Sequence, residues 1–211
     1  MMISPEAFYD VELKGKTPEQ ILKIIRSLKR EINRLKRELE RPENPEVVLE
    51  CPSHSVRISM NRDYLLRAKL ALLEAGGEYK PTKAEERSET FQERINEIKS
   101  ISFVRSSFFR GRKLWIATPV EDIVTISFGD DFATLDTKIA DRKLFMERVE
   151  RLYLGEWKRN YIDHCVLDGE QWELNVHYEN PADTVTVYGD NEYPYNFDEL
   201  VALFDAEEED E

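Results

Sequence analysis

Ile21, Ile25, Leu28, Ile32, Leu35 and Leu39 recur at intervals of three or four residues, which lines them along one stripe of an α-helix. Thr17 caps its start, Pro18 takes the first helical position and Gln20 reaches back, so the helix runs from Pro18 to the break at residues 41–45, "RPENP". The stripe is a heptad, with Ile25, Ile32 and Leu39 at a and Ile21, Leu28 and Leu35 at d. That choice favours a parallel pair of helices, with Glu31 at g opposite Lys36 at e of a second copy. Leu22 and Ile24 widen the stripe beyond a narrow seam, which equally suits packing on a helix of the same chain.

Further along, residues 47–58 read as a short extended piece. Asn61 is placed to cap a second helix, "RDYLLRAKLALLEAGG", whose stripe of Leu65, Ala68, Leu72 and Ala75 ends at Gly76 and Gly77. Thr82 and Glu85 repeat the capping signature for a third helix through Phe91, Ile95 and Ile98 to about Lys99. Strand formers then take over. Residues 100–118 predict a hairpin turning near Gly111, and "DIVTISFGDD" adds a third strand. A helix capped by Asp141 carries Phe145, Val149 and Leu152. Asp168-Gly169 signals a second hairpin, "NPAD" turns into "TVTVYG", and Asn196 with Glu199 reads as the cap of a last helix.

The fold class expected is α+β. An N-terminal helical region over 1–99, a helical hairpin or short coiled coil plus a third helix, precedes an antiparallel sheet with helices on one face over 100–205. Residues 206–211 form an acidic tail.

Charge sharpens this division. Residues 14–41 hold ten Lys or Arg against four Asp or Glu, a net of +6, whereas residues 119–211 hold seven against 25, a net of −18. An acidic body repels nucleic acid at long range and suits the basic surfaces of nucleic-acid enzymes. The absence of an 18-residue apolar run and of a basic-then-apolar start predicts a cytoplasmic protein, where Cys51 and Cys165 stay free thiols.

No spacing predicts catalysis. Cys51 and His54 form C-x-x-H, but His164 and Cys165, adjacent on an expected strand, would face opposite ways, so no metal or cofactor site is expected. Asp130, Asp131 and Asp136 come nearest to a metal-binding nuclease cluster, and phosphate-loop, dinucleotide-binding and serine-nucleophile motifs are missing. Two surfaces are candidates for a protein partner. One is the basic face of the first helix, with Arg30, Arg34 and Arg37. The other is the hairpin tip, where Phe108, Phe109 and Trp115 mix with Arg110, Arg112 and Lys113. Direct nucleic-acid contact by the helix is not expected, because no aromatic residue is interleaved to stack on bases.

The segments "ISPEAFYDVELKGKTPEQILKIIRSLKREINRLKRELE" and "RDYLLRAKLALLEAGGEYKPTKAEE" resemble the N-terminal region of small mobile-element proteins of gut clostridia. That group includes type II-A anti-CRISPR proteins, inhibitors of the Cas9 nuclease. The ending with Gly189, Asn191, Tyr193 and Pro194 is similar to a G-x-N-x-Y-P hairpin-plus-helix of the same genomic neighbourhoods. The resemblance implies a non-catalytic inhibitor whose partner is Cas9 or its guide-RNA complex, and it transfers no inhibitory residue. The alternative is a homodimeric structural or adaptor protein of a mobile element, paired through the heptads.

Overall fold

A computed structural model of the protein describes residues 3–41, 51–107, 111–130, 136–165 and 169–204. The chain forms two compact units, Met1–Pro81 and Thr82–Glu211. The class is α+β.

The first unit is a helical hairpin with an N-terminal latch. Helix α1 (Pro5–Phe8) runs into a wider helical turn over Tyr9–Leu13, followed by α2 (Pro18–Leu39) and α3 (His54–Glu74). Both halves of the predicted capping box form at α2: Thr17 Oγ1 accepts from the Gln20 amide, and Gln20 Oε1 from the Thr17 amide at 2.9 Å. Helices α2 and α3 run antiparallel. Arg57 near the start of α3 meets Glu31 at 2.8 Å, while Ile21 and Ile25 share a core with Ala68, Ala71 and Leu72. Of the heptad positions, Ile21, Ile25, Ile32 and Leu35 are buried, and Leu28 and Leu39 are half-buried. Ala68 and Ala71 are the small residues that let two helices approach closely. The latch closes over α3, where Phe8 stacks on Tyr64 with ring centroids 4.3 Å apart and the Tyr64 hydroxyl donates to the Ile3 carbonyl at 2.8 Å. At the far end Gly76, with φ +76°, reverses the chain, and the Gly77 amide returns to the Leu72 carbonyl at 2.8 Å.

Helix α3 begins earlier than its sequence suggests. The extended piece expected over 47–58 is helical from His54, with Ser53 accepting from the Val56 amide as the cap; residues 47–50 lie outside the described residues. Asn61 is an interior residue of that helix. Burial of Ile58 on the hairpin overrides the strand propensity of Val56 and Ile58.

The second unit opens with α4 (Lys83–Glu93), capped as predicted by Thr82 with Glu85. The helix stops at Glu93, not near Lys99, and a 3-10 turn over Ile95–Glu97 keeps Ile95 and Ile98 buried. Because Phe91, Ile95 and Ile98 bury in the sheet's core, this helix belongs with the sheet, which moves the boundary expected at residue 99 to Pro81. The strands are β1 (Ser100–Ser107), β2 (Gly111–Val120), β3 (Ile123–Asp130), β4 (Asp136–Asp141), β5 (Asn160–Ile162), β6 (Glu170–His177) and β7 (Val185–Asp190). Helix α5 (Arg142–Arg151) follows β4, and α6 (Phe197–Leu203) follows β7.

The sheet order is β4-β3-β2-β1-β6-β7-β5. All neighbours are antiparallel except β5, which lies parallel to β7. Register places Phe103 beside Trp115 and Leu174, and Ile101 beside Ala117 and Val176, so the middle of one face is apolar, with Arg105 and Lys113 following at its end. Phe91, Phe145, Val149, Leu200 and Phe204 from the helices share the core with that face. Strand β4 has no counterpart among the strands that the sequence predicts. It is an edge strand with Ile139 exposed, so it lacks the buried alternation that marks an inner strand. The Asp168-Gly169 hairpin is also revised: Asp168 lies outside the described residues, β5 pairs with β7 and not β6, and His164 with Cys165 occupies a turn.

Asn196 takes the N-cap position of α6, but its side chain makes no capping hydrogen bond. It is buried, its Oδ1 accepts from Trp157 Nε1 at 3.1 Å, and its Nδ2 donates to the Leu152 carbonyl at 3.0 Å. Replacing it strands an indole donor and a carbonyl in the core, so Asn196→Ala is expected to cost about 1–3 kcal/mol in urea denaturation. Asn196→Asp, which loses the donor to Leu152, should cost no less.

Candidate functional site

The candidate residues fall on three surfaces, one along α2 and two at strand ends of the sheet. On α2 the seam against α3 fixes every other direction of the helix. Glu31 and Glu38 lie on the flank next to α3, where Glu31 meets Arg57 and Glu38 lies 3.5 Å from His54 Nε2. Arg34 is clamped between them, 2.8 Å from Glu31 and 2.6 Å from Glu38. Its hydrogen bond holds the Glu31 carboxyl below its ordinary range, aided by the charge of Arg57. Arg34 is therefore tied to the flank, whereas Arg30 and Arg37 stand exposed and their Nε atoms donate only to the Arg26 and Asn33 carbonyls of their own helix.

At the β1–β2 hairpin, Arg112 and Lys113 are exposed, while Phe108, Phe109 and Arg110 lie outside the described residues. Trp115 is a core residue, stacked on Phe103 with centroids 5.6 Å apart. Alternation along β2 thus accounts for that aromatic. The two candidate partner surfaces belong to different units.

The third cluster gathers residues remote in sequence, and it explains the G-x-N-x-Y-P string. Arg105 on β1 forms a two-pronged ion pair with Glu170 at the start of β6, and both side chains are largely buried. Asn191, in the left-handed region with φ +58°, wraps this carboxylate's backbone: its Oδ1 accepts from the Glu170 amide at 2.8 Å, and its own amide donates to the Glu170 carbonyl at 2.9 Å. The Tyr193 hydroxyl donates to Glu170 Oε2 at 3.0 Å. Gly189 faces Trp172 so closely that a Cβ there would sit 2.0 Å from the indole. Each of the three residues therefore positions the Arg105–Glu170 pair or the ring beside it. Spacing along the chain carries no signal for Arg105 or Glu170, because the pairing of β1 with β6 creates the contact.

A groove of about 500 Å³ between α5 and the turn after α4 is lined by the buried Ile95 and Met146 and by Asp122, Glu147 and Glu150. Asp141 beside it caps α5 through the Leu144 amide at 2.9 Å, and Arg142 donates to the Glu121 carbonyl at 2.8 Å. Among the described residues, no three His, Cys, Asp or Glu side chains converge to hold a metal ion, and Asp131 is outside them. Cys51 and Cys165 are exposed free thiols. Among the described residues no helix is long and apolar enough to cross a membrane. The chain matches no protein-family model, no curated protein and no solved structure.

Burial, followed by the nearby Glu170 carboxylate, pushes the Tyr193 phenol well above its ordinary value of 10.0. A folded-state phenol that holds its proton contributes stability below pH 10 that is lost as pH rises further, because the unfolded chain ionises first. Urea midpoints at pH 8 and pH 11 are expected to fall less for Tyr193→Phe than for the parent protein, and an equal fall would show that Tyr193 ionises freely.

Proposed function

We propose that the chain is a non-catalytic binding protein, an inhibitor of the anti-CRISPR type that engages an RNA-guided nuclease such as Cas9 in the cytoplasm. One physical observation carries this reading, alongside the resemblance of its N-terminal segments. Charge separates by unit: Met1–Pro81 holds 15 basic and 13 acidic residues, a net of +2, while Thr82–Glu211 holds 15 and 30, a net of −15. A compact unit with that excess generates a negative field that attracts basic surfaces. A nuclease that holds its guide–target heteroduplex in a positively charged channel presents such a surface.

The other reading, a homodimeric structural or adaptor protein paired through α2, requires a second use of a stripe that α3 already buries. A coiled-coil dimer would need α3 to leave, exposing Ala68, Ala71 and Leu72.

The protein added in excess to several Cas9 orthologues loaded with guide RNA is expected to abolish target cleavage by at least one of them. Inhibition should weaken as salt rises. Unchanged cleavage by every orthologue, with no complex on size exclusion, would overturn the proposal.

A further inference from the structure

Along the outward crest of α2, Glu19 stands exposed one turn before Lys23, and beyond it the exposed charges are all of one sign. Every exposed residue in the span 23–41 is basic or a neutral hydrogen-bonding residue: Lys23, Arg26, Ser27, Arg30, Asn33, Arg37 and Arg41. The three acidic residues of that span, Glu31, Glu38 and Glu40, are all half-buried. Lys23, Arg26 and Arg41 make no ion pair among the described residues, and Arg30 and Arg37 bond only to carbonyls of their own helix. Arg26 and Arg30 stand one helical turn apart, where like charges repel. Four of these cations stand on the helix without an ion-pair partner, along about 21 Å from Lys23 to Arg37 at ~1.5 Å per residue, and Arg41 follows just past its end.

We infer that this crest is a docking surface for the phosphate backbone of double-stranded DNA. A protein partner is disfavoured by what the crest lacks, since the centres of protein interfaces concentrate aromatic and apolar residues and none is exposed here. Interfaces with DNA are polar and strongly positive, and Ser27 and Asn33 add neutral phosphate donors to the row. The absence of aromatic residues argues against a single strand, which is held by stacking. Among duplexes, the major groove of B-form DNA admits an α-helix, whereas that of A-form RNA is too narrow for side chains to enter. The inference goes beyond the inhibitor reading and does not depend on it.

The test uses the full chain and a random-sequence DNA duplex with no nuclease present. If all five cations meet phosphates, log K falls against log salt with a slope of about −4.5, or roughly 500-fold between 50 and 200 mM. Arg26→Gln, Arg30→Gln and Arg37→Gln combined should reduce the slope to about −1.8, with an unchanged or raised melting temperature because like charges are removed. Asn33→Arg should steepen it by about 0.9, which keeps the test open if the triple variant folds poorly. The same RNA duplex should bind at least tenfold more weakly, and polyglutamate of equal charge should not compete. No DNA binding at 50 mM salt, an unaltered slope in both variants, RNA binding as tight as DNA, or full competition by polyglutamate would each overturn the inference.

Discussion

The stripe of Ile21, Ile25, Ile32 and Leu35 is buried once, by α3 of the same chain, and the layout of the first unit follows from that. With the seam turned inward, the 3.6-residue period sends Arg26, Arg30 and Arg37 to the opposite side and leaves Glu31 and Glu38 on the flank. The Arg34 clamp consumes both acids, so they do not neutralise the crest. A hydrophobic requirement thereby produces an electrostatic surface. Ala68 and Ala71 make the close approach possible, and the Gly76 reversal ends α3 where Leu72 meets the base of α2.

The sheet unit obeys a different constraint. One face takes the whole apolar load, and its helices supply Phe91, Phe145 and Phe204 as cover. At one end of that face, Arg105 brings a charge onto an apolar surface, and its pairing with Glu170 makes this tolerable. Asn191, Tyr193 and Gly189 hold that pair and the adjacent Trp172 in place, so a string that reads as a signature is, physically, the support of a largely buried ion pair.

Local chemistry was legible where it acts over four residues. The capping boxes at Thr17 and Thr82 and the Asp141 cap form as their spacing demands, and the helical stripe of α2 is buried where its period puts it. Features set by distant residues were not legible. Asn196 has the identity and position of a cap, yet Trp157 and the Leu152 carbonyl claim both ends of its amide. Strand β5 is only three residues long, and its parallel partner β7 lies beyond β6, so no hairpin signal encodes it. The start of α3 at His54 depends on burying Ile58, which no local pattern announces. For the candidate surface, the basic residues of α2 were plain in the sequence, but their separation into an unpaired crest and a clamped flank required knowing which side α3 occupies.

The α2 stripe is satisfied within one chain, and a double-mutant cycle of Ile25→Ala and Leu72→Ala measures the coupling this requires. Residues sharing one core should couple by about 0.5–3 kcal/mol in urea denaturation. The unfolding midpoint should also stay constant over a hundredfold range of protein concentration, because no second copy is needed to cover the stripe. Additive losses from the two substitutions, or a midpoint that rises with protein concentration, would mean that α3 does not cover the stripe by itself.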